Sequence, residues 1–218
     1  MNRTQVCAEA RGSKDRRASA EARGGKDLHV EIRQACSGDR DAIAQFLAGL
    51  SLRTRYLRFF TGGAPVSGAM LGILTGSRDR ADAIVATENG TIIGHAMAID
   101  TAGPVAGAHI VEIGVVVADA RQGDGVGSAL VREVTARAQT RGATTVLMEV
   151  LAENRQVLAM IVRRWPAACH TRSGPYVTVR AEMTGGARQP SPGRRAGKEA
   201  GRLEPVNQDP RRPAMTRA

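Results

Sequence analysis

The 218 residues are 42% hydrophobic but only 3% aromatic, which leaves room for one domain with an aliphatic core plus tails. The net charge of +10 sits mainly at the ends: 1–27 holds seven basic against four acidic residues, 185–218 holds eight against three, and 28–184 is nearly balanced at sixteen against fourteen. With no basic recognition helix or aromatic stacking platform, nucleic acid is not an expected partner, and with no run of about 18 apolar residues and no apolar signal core, neither a membrane span nor a secretory leader is expected.

The stretch 1–27 carries a near-repeat, Ala8 to Asp15 against Ala20 to Asp27. It offers little to bury and is expected to be a disordered basic tail. The proline-rich, basic 185–218 is read the same way, so 28–184 is the domain. Either tail has an alternative use as an arm for acidic partners. The three cysteines, 7, 36 and 169, form no CxxC pair. Their odd count and wide spacing argue against a disulfide framework or a zinc site and fit a reducing, cytoplasmic setting without a metal.

Within the domain, 28–34 alternates as a strand, and 39–50 has helical spacing after an acidic start. A second helix is predicted near 53–60 and a third at 66–75. Residues 83–88 and 91–99 flank Asn89-Gly90, the strongest hairpin signal in the chain. The run 109–117 adds a third strand to an antiparallel meander. A glycine-rich turn, 121–127, then opens a helix whose apolar positions 126, 130, 131, 134 and 138 share one face. The apolar 144–151 is a buried strand, Asn154 heads a helix that Pro166 stops, and strands at 167–172 and 176–183 flank 173–175. The order β-α-α-β-β-β-α-β-α-β-β defines a mixed α/β (α+β) domain with a mostly antiparallel sheet flanked by helices.

The chemistry concentrates where strand 109–117 runs into Gln122-Gly-Asp-Gly-Val-Gly127 and a helix. Glycines at such a junction let the backbone approach a ligand and aim N–H groups at phosphate, at the positive end of the helix dipole. No Gly-Lys-Ser/Thr follows, so this is not a P-loop, and the preceding meander does not fit a Rossmann unit.

Gln-x-x-Gly-x-Gly after Val-Glu-Ile-Gly-Val-Val-Val resembles the acetyl-CoA-binding motif of the GNAT superfamily of N-acetyltransferases, and the resemblance extends over about 28–184. Residues 50–60, Leu-Ser-Leu-Arg-Thr-Arg-Tyr-Leu-Arg-Phe-Phe, together with Glu112, resemble the bacterial protein-lysine acetyltransferase branch. The resemblance implies acetyl-CoA as co-substrate and a primary amine as acceptor, a protein lysine first and a small-molecule amine second. A module that binds acetyl-CoA without transferring it is the alternative from another class.

The resemblance assigns Glu112 as general base, and its mid-strand place in an apolar run is where burial would raise a carboxyl toward usefulness. A solvated, ordinary carboxylate is the other reading. Backbone groups of Val115 and Val117 would hold the pantetheine arm. Gln122, Gly123, Gly125, Gly127 and Ser128 would present N–H groups to the pyrophosphate. Asn154 would contact the cofactor arm, or act as a plain helix cap. Asp124 departs from the pattern, which commonly has a base there. The tyrosine that often protonates the departing thiolate is replaced by Met160 and Ile161, leaving water for that role. Arg55 and Arg58 are read as solvated, with contact to an acidic acceptor surface as the alternative, and His95 and His109 as packed rather than catalytic.

Overall fold

Asn89 and Gly90 take φ of 49° and 78°, the left-handed pair that a two-residue hairpin turn demands. They join β3 (Ala81–Glu88) to β4 (Thr91–Asp100) in a computed structural model that describes residues 18–19, 30–61, 67–76, 80–101 and 108–183. β2 (Val30–Gln34) lines β3, and β5 (Ile110–Val117) lines β4, all antiparallel. The expected meander is present. β1 (Ala18–Ser19) pairs with β2 inside the stretch read as an unstructured tail. The rest of 1–27, and all of 185–218, lie outside the described residues.

Helix α4 (Val126–Thr140) carries the chain across the sheet to β6 (Thr145–Leu151), which runs parallel to β5, because a parallel neighbour needs a crossover. After α5 (Arg155–Arg164), β7 (Cys169–Ser173) and β8 (Tyr176–Glu182) form a hairpin that returns antiparallel beside β6. The sheet order is β1-β2-β3-β4-β5-β6-β8-β7. This is the mixed, mostly antiparallel architecture that the alternation of periods implies.

The early helices are α1 (Arg40–Ala48), α2 (Leu52–Phe59) and α3 (Gly68–Leu74). Asp39, read as the start of the first helix, is buried in the preceding short turn. It accepts the backbone N–H of Cys36 at 2.9 Å and a two-pronged bond from Arg33 at 2.7 and 2.8 Å. Cys36 is disulfide-bonded while Cys169 is free and exposed. That bond corrects the cysteine reading and removes the support it lent to a reducing compartment.

Residues directly opposed in paired strands share a face, and the pairing Gly94↔Val117 sorts the sheet into two. On one face Val111, Ile113 and Val117 pack against Val126, Leu130, Val131 and Val134 of α4. Gly94 belongs to this side because a Cβ there would stand 2.8 Å from Leu130 Cδ1. On the other face Ala83, Val85, Met97 and Val116 pack against Ile43 and Leu47 of α1 and Ile73 and Leu74 of α3. Each fully buried aliphatic side chain stabilises by roughly 1.5–3 kcal/mol, so these two layers rather than helix propensity hold the short helices in place. Among the described residues no helix is long and apolar enough to cross a membrane.

Candidate active site

β5 and β6 share three register pairs, ending at Glu112↔Leu147, and then part. Main-chain direction alternates along β5. The carbonyl of His109 accepts from Thr144 and Thr145 on the β6 side, whereas that of Ile110 accepts from Thr101. By that alternation Ile113, Val115 and Val117 aim their N–H and C=O groups into the gap beyond the last pair. The opening is a built-in place for an extended ligand to bond the strand edge.

The mouth of the gap is the glycine turn. Gly123 and Gly125 have φ of 92° and 85°, and a Cβ at either would meet nothing within 4 Å. These glycines therefore serve conformation and the approach of a ligand, not packing against the protein. Val126, Gly127 and Ser128 head α4, where backbone N–H groups have no acceptor within the helix. One expectation is corrected here: the N–H of Gln122 already bonds the carbonyl of Asp119 at 3.3 Å. Its side chain is a strut, donating to Thr54 Oγ1 at 3.1 Å and to the Val117 carbonyl at 3.2 Å.

Asp124, the departure from the motif, is half exposed and ion-paired to Arg121 at 3.3 Å. Arg121 also pairs with Glu88, so the acid at the turn does not face the mouth uncompensated. Asn154 caps α5 by accepting the Val157 N–H at 3.3 Å and also borders the cleft.

All nine predicted site residues line a single cleft of about 310 Å³. Glu112 is half-buried within it and, alternating with Val111 and Ile113, stands on the α1–α3 face of the sheet. The glycine turn feeds α4 on the opposite face. Gly114, next along on the Glu112 side, lies under the guanidinium of Arg58: a Cβ there would be 2.1 Å from Nη2. Arg58 thus corrects the expectation of a solvated side chain. Burial pulls its pKa down to about 10, with the charge of Glu112 working in the opposite direction. His95 is packed as expected. Its Nε2–H donates to the Leu74 carbonyl at 2.8 Å, and burial drags its pKa to about 4, with the Arg58 charge adding to the fall and the Leu74 bond resisting it. His109 lies away from the cleft, 3.1 Å from Asp100.

A network that the sequence did not announce ties α2 to this site. Asp119 accepts from the Ser51 N–H at 2.9 Å, the Ser51 hydroxyl at 2.6 Å and the Thr54 hydroxyl at 2.7 Å. Those bonds, the Ser51 hydroxyl first, hold its carboxyl below the usual range. Partners 65 and 68 residues apart leave no local signal. Phe60 ends α2 with φ of 59° and sets its ring edge-on to Tyr176, centroids 5.3 Å apart, at the cleft wall.

A mixed sheet opened between two parallel strands, with a glycine turn and helix N-terminus at the opening, is the architecture of the CoA-dependent acetyltransferases. Residues 51–164, just over half the chain, match the family model described as the acetyltransferase (GNAT) family, and the chain belongs to that family. It is therefore an acetyl-CoA-dependent N-acetyltransferase. No match was found among curated proteins. Among solved structures, the GNAT domain of S. lividans PAT is similar with a TM-score of 0.67 and 24% identity, over 77% of this chain and 97% of that one. The yncA structure from Salmonella typhimurium, solved with acetyl-CoA, gives a TM-score of 0.57 and 17% identity over 75% and 99%. A cAMP-binding acyltransferase from Mycobacterium smegmatis gives 0.52 and 22%, over 78% of this chain but 48% of that chain.

Proposed function

We propose that the protein transfers acetyl to the side-chain amine of a protein lysine by direct attack, with Glu112 as general base. The observation that carries this is the position of Glu112 at the last rung before the sheet parts, on the face opposite the glycine turn. An amine entering from the α1–α3 side meets the carboxylate first and the gap next. A lysine amine, with a reference pKa of about 10.4, is protonated at neutral pH and cannot attack until a base removes its proton. Glu112 takes that proton and leaves the nitrogen lone pair directed through the gap. The resemblance of the run 50–60 to the bacterial protein-lysine acetyltransferase branch favours lysine as the acceptor.

The open strand edge and the glycine turn fit acetyl-CoA, which supplies the acetyl group as an activated thioester. Val115 and Val117 would bond its extended arm. Gly123, Gly125, Gly127 and Ser128 would receive the pyrophosphate, with Gln122 bracing the turn and Asn154 closing the far side. Met160 and Ile161 line the cleft and carry no titratable group, so the departing thiolate takes its proton from water.

The glycines separate this reading from a generic helix entry. Gly125→Ala forces an L-residue into left-handed backbone, costing about 1–2 kcal/mol, and is expected to weaken acetyl-CoA binding measurably by calorimetry. At Gly127 a Cβ would lie 3.6 Å from Val117 Cγ2, an ordinary contact, so Gly127→Ala is expected to spare the fold and to weaken acetyl-CoA binding only through the close approach of the ligand. Unchanged acetyl-CoA affinity in both variants would contradict the phosphate-turn assignment. The overall reading is tested by thiol release from acetyl-CoA in the presence and absence of lysine-bearing proteins. Binding without acceptor-dependent release would overturn it.

A further inference from the structure

The guanidinium of Arg58 occupies a seat left open for it. It lies over Gly114, where a Cβ would overlap Nη2 and Cζ, and the ring of Phe59 covers it, with Cζ 5.0 Å from the centroid. Gly114 opposes Met97, and Phe59 packs against the apolar cluster to which Met97 and Val116 belong. Nε and Nη2 are buried there without a hydrogen-bond partner, so both carry their desolvation cost in full. Burial lowers the guanidinium pKa while the charge of Glu112 resists that fall. The fold thus holds a costly cation two residues from Glu112, about 6.6 Å along the strand and on the same face.

Such a cation has a use. Glu112 is half-buried, and burial favours its neutral acid, which cannot take a proton from an amine. An opposite charge a few ångströms away favours the carboxylate instead, by about 1–3 pH units. Among the described residues the other ionisable groups near this face are neutral, exposed or committed. His95 on β4 is uncharged at neutral pH. Arg55, a turn earlier on α2, does not line the cleft, whereas Glu149 on β6 and Arg163 on α5 line it from exposed positions. Arg121 is paired with Glu88 and Asp124. Arg53 on α2 and Arg40 and Asp41 on α1 are exposed, and α3 carries no ionisable side chain.

We propose that Arg58 is a positioning residue for Glu112: its guanidinium, seated over Gly114, is the counter-charge that holds the Glu112 side chain as a carboxylate in the cleft, and it acts through Glu112 without touching the substrate. This rests on the base role given to Glu112 above. Its buried nitrogens need no access for this, because the effect is carried by charge across an apolar seat, where screening is weak.

The test follows carboxyl resonances of 13C-glutamate-labelled protein against pH, Glu112 being the signal that Glu112→Gln removes. Arg58→Gln takes away the cation, so the Glu112 midpoint is expected to rise by about 1 pH unit or more. Arg58→Lys restores the charge and is expected to bring the midpoint back to within about half a unit of wild type. The acid limb of kcat/KM, read as thiol release with a blocked lysine peptide, is expected to move to higher pH with it in Arg58→Gln, whereas a packing defect would lower the rate equally at every pH. In the wild type alone, the buried Nε–H resonance of Arg58 is expected to shift with the same midpoint as Glu112, and to lose that step in Glu112→Gln. That readout survives if the Arg58 variants fold poorly. An unmoved Glu112 midpoint in Arg58→Gln, no recovery in Arg58→Lys, or an Nε–H silent through the Glu112 titration would each overturn the proposal. Should Glu112→Gln lose turnover without any such coupling, this inference alone fails. Should the coupling be present while Glu112→Gln keeps its turnover, the base role fails and the pair has no part in the transfer.

Discussion

Glu112→Gln is expected to lower turnover by about 10²–10⁴-fold while acetyl-CoA affinity stays within about threefold of wild type. The substitution keeps the shape and hydrogen-bonding capacity of the side chain and removes only its ability to take a proton. Affinity for the cofactor should hold because Glu112 stands on the α1–α3 face, whereas the glycine turn and α4 lie on the other. Steady-state thiol release gives the first quantity and calorimetric titration of acetyl-CoA the second. A turnover within about threefold of wild type would remove Glu112 from the chemistry. A large loss of cofactor affinity would instead make it a binding residue.

The second large effect concerns stability and pH. His95 is 1% exposed, donates through Nε2 to Leu74, and has a buried Nδ1 with no partner. A second proton would enter a site without an acceptor and close to the Arg58 charge. The folded-state pKa is therefore about 4, below the ordinary histidine value near 6.5. Between those values the unfolded chain binds the proton and the folded chain does not, so stability is complete above about 6.5 and falls as the pH drops toward 4. The loss comes to about 2 kcal/mol at pH 5 and about 3 kcal/mol at pH 4. Urea unfolding of wild type and His95→Gln at pH 7.5 and pH 5 checks this, because the glutamine amide can still donate to Leu74 but cannot titrate. The other histidines are common to both proteins and cancel. Parallel pH dependences would show that His95 is not the group responsible.

The elements that could be read from the sequence are those with local causes. Asn89-Gly90 dictates its turn by backbone conformation, and α4 declares itself by apolar spacing. The glycine turn marks the ligand mouth because each positive φ needs a residue without a Cβ. What escaped is long-range. The short β5–β6 seam and the tie from Asp119 to Ser51 and Thr54 exist only after the crossover brings distant residues together. Arg58 escaped for another reason: a basic residue on a short polar helix reads as solvated. A signal was nevertheless available. Gly114 sits inside a strand with no turn or bulge to explain it, and such a glycine marks the close approach of another group. The disulfide at Cys36 was hidden because an odd cysteine count says nothing about which residues pair.

The parting of β5 and β6 has a consequence for how two reactants meet. On the proposed reading the sheet works as a wall with a single slot, with the glycine turn on one side and Glu112 and Arg58 on the other. In that reading each reactant has its own door, so neither would have to leave before its counterpart arrives. Remodelling one doorway need not disturb the other. Α descendant of this chain could exchange its acceptor by altering α2 and the rim around Arg58 and keep its donor unchanged, which makes the slot a fixed joint between two independently variable halves.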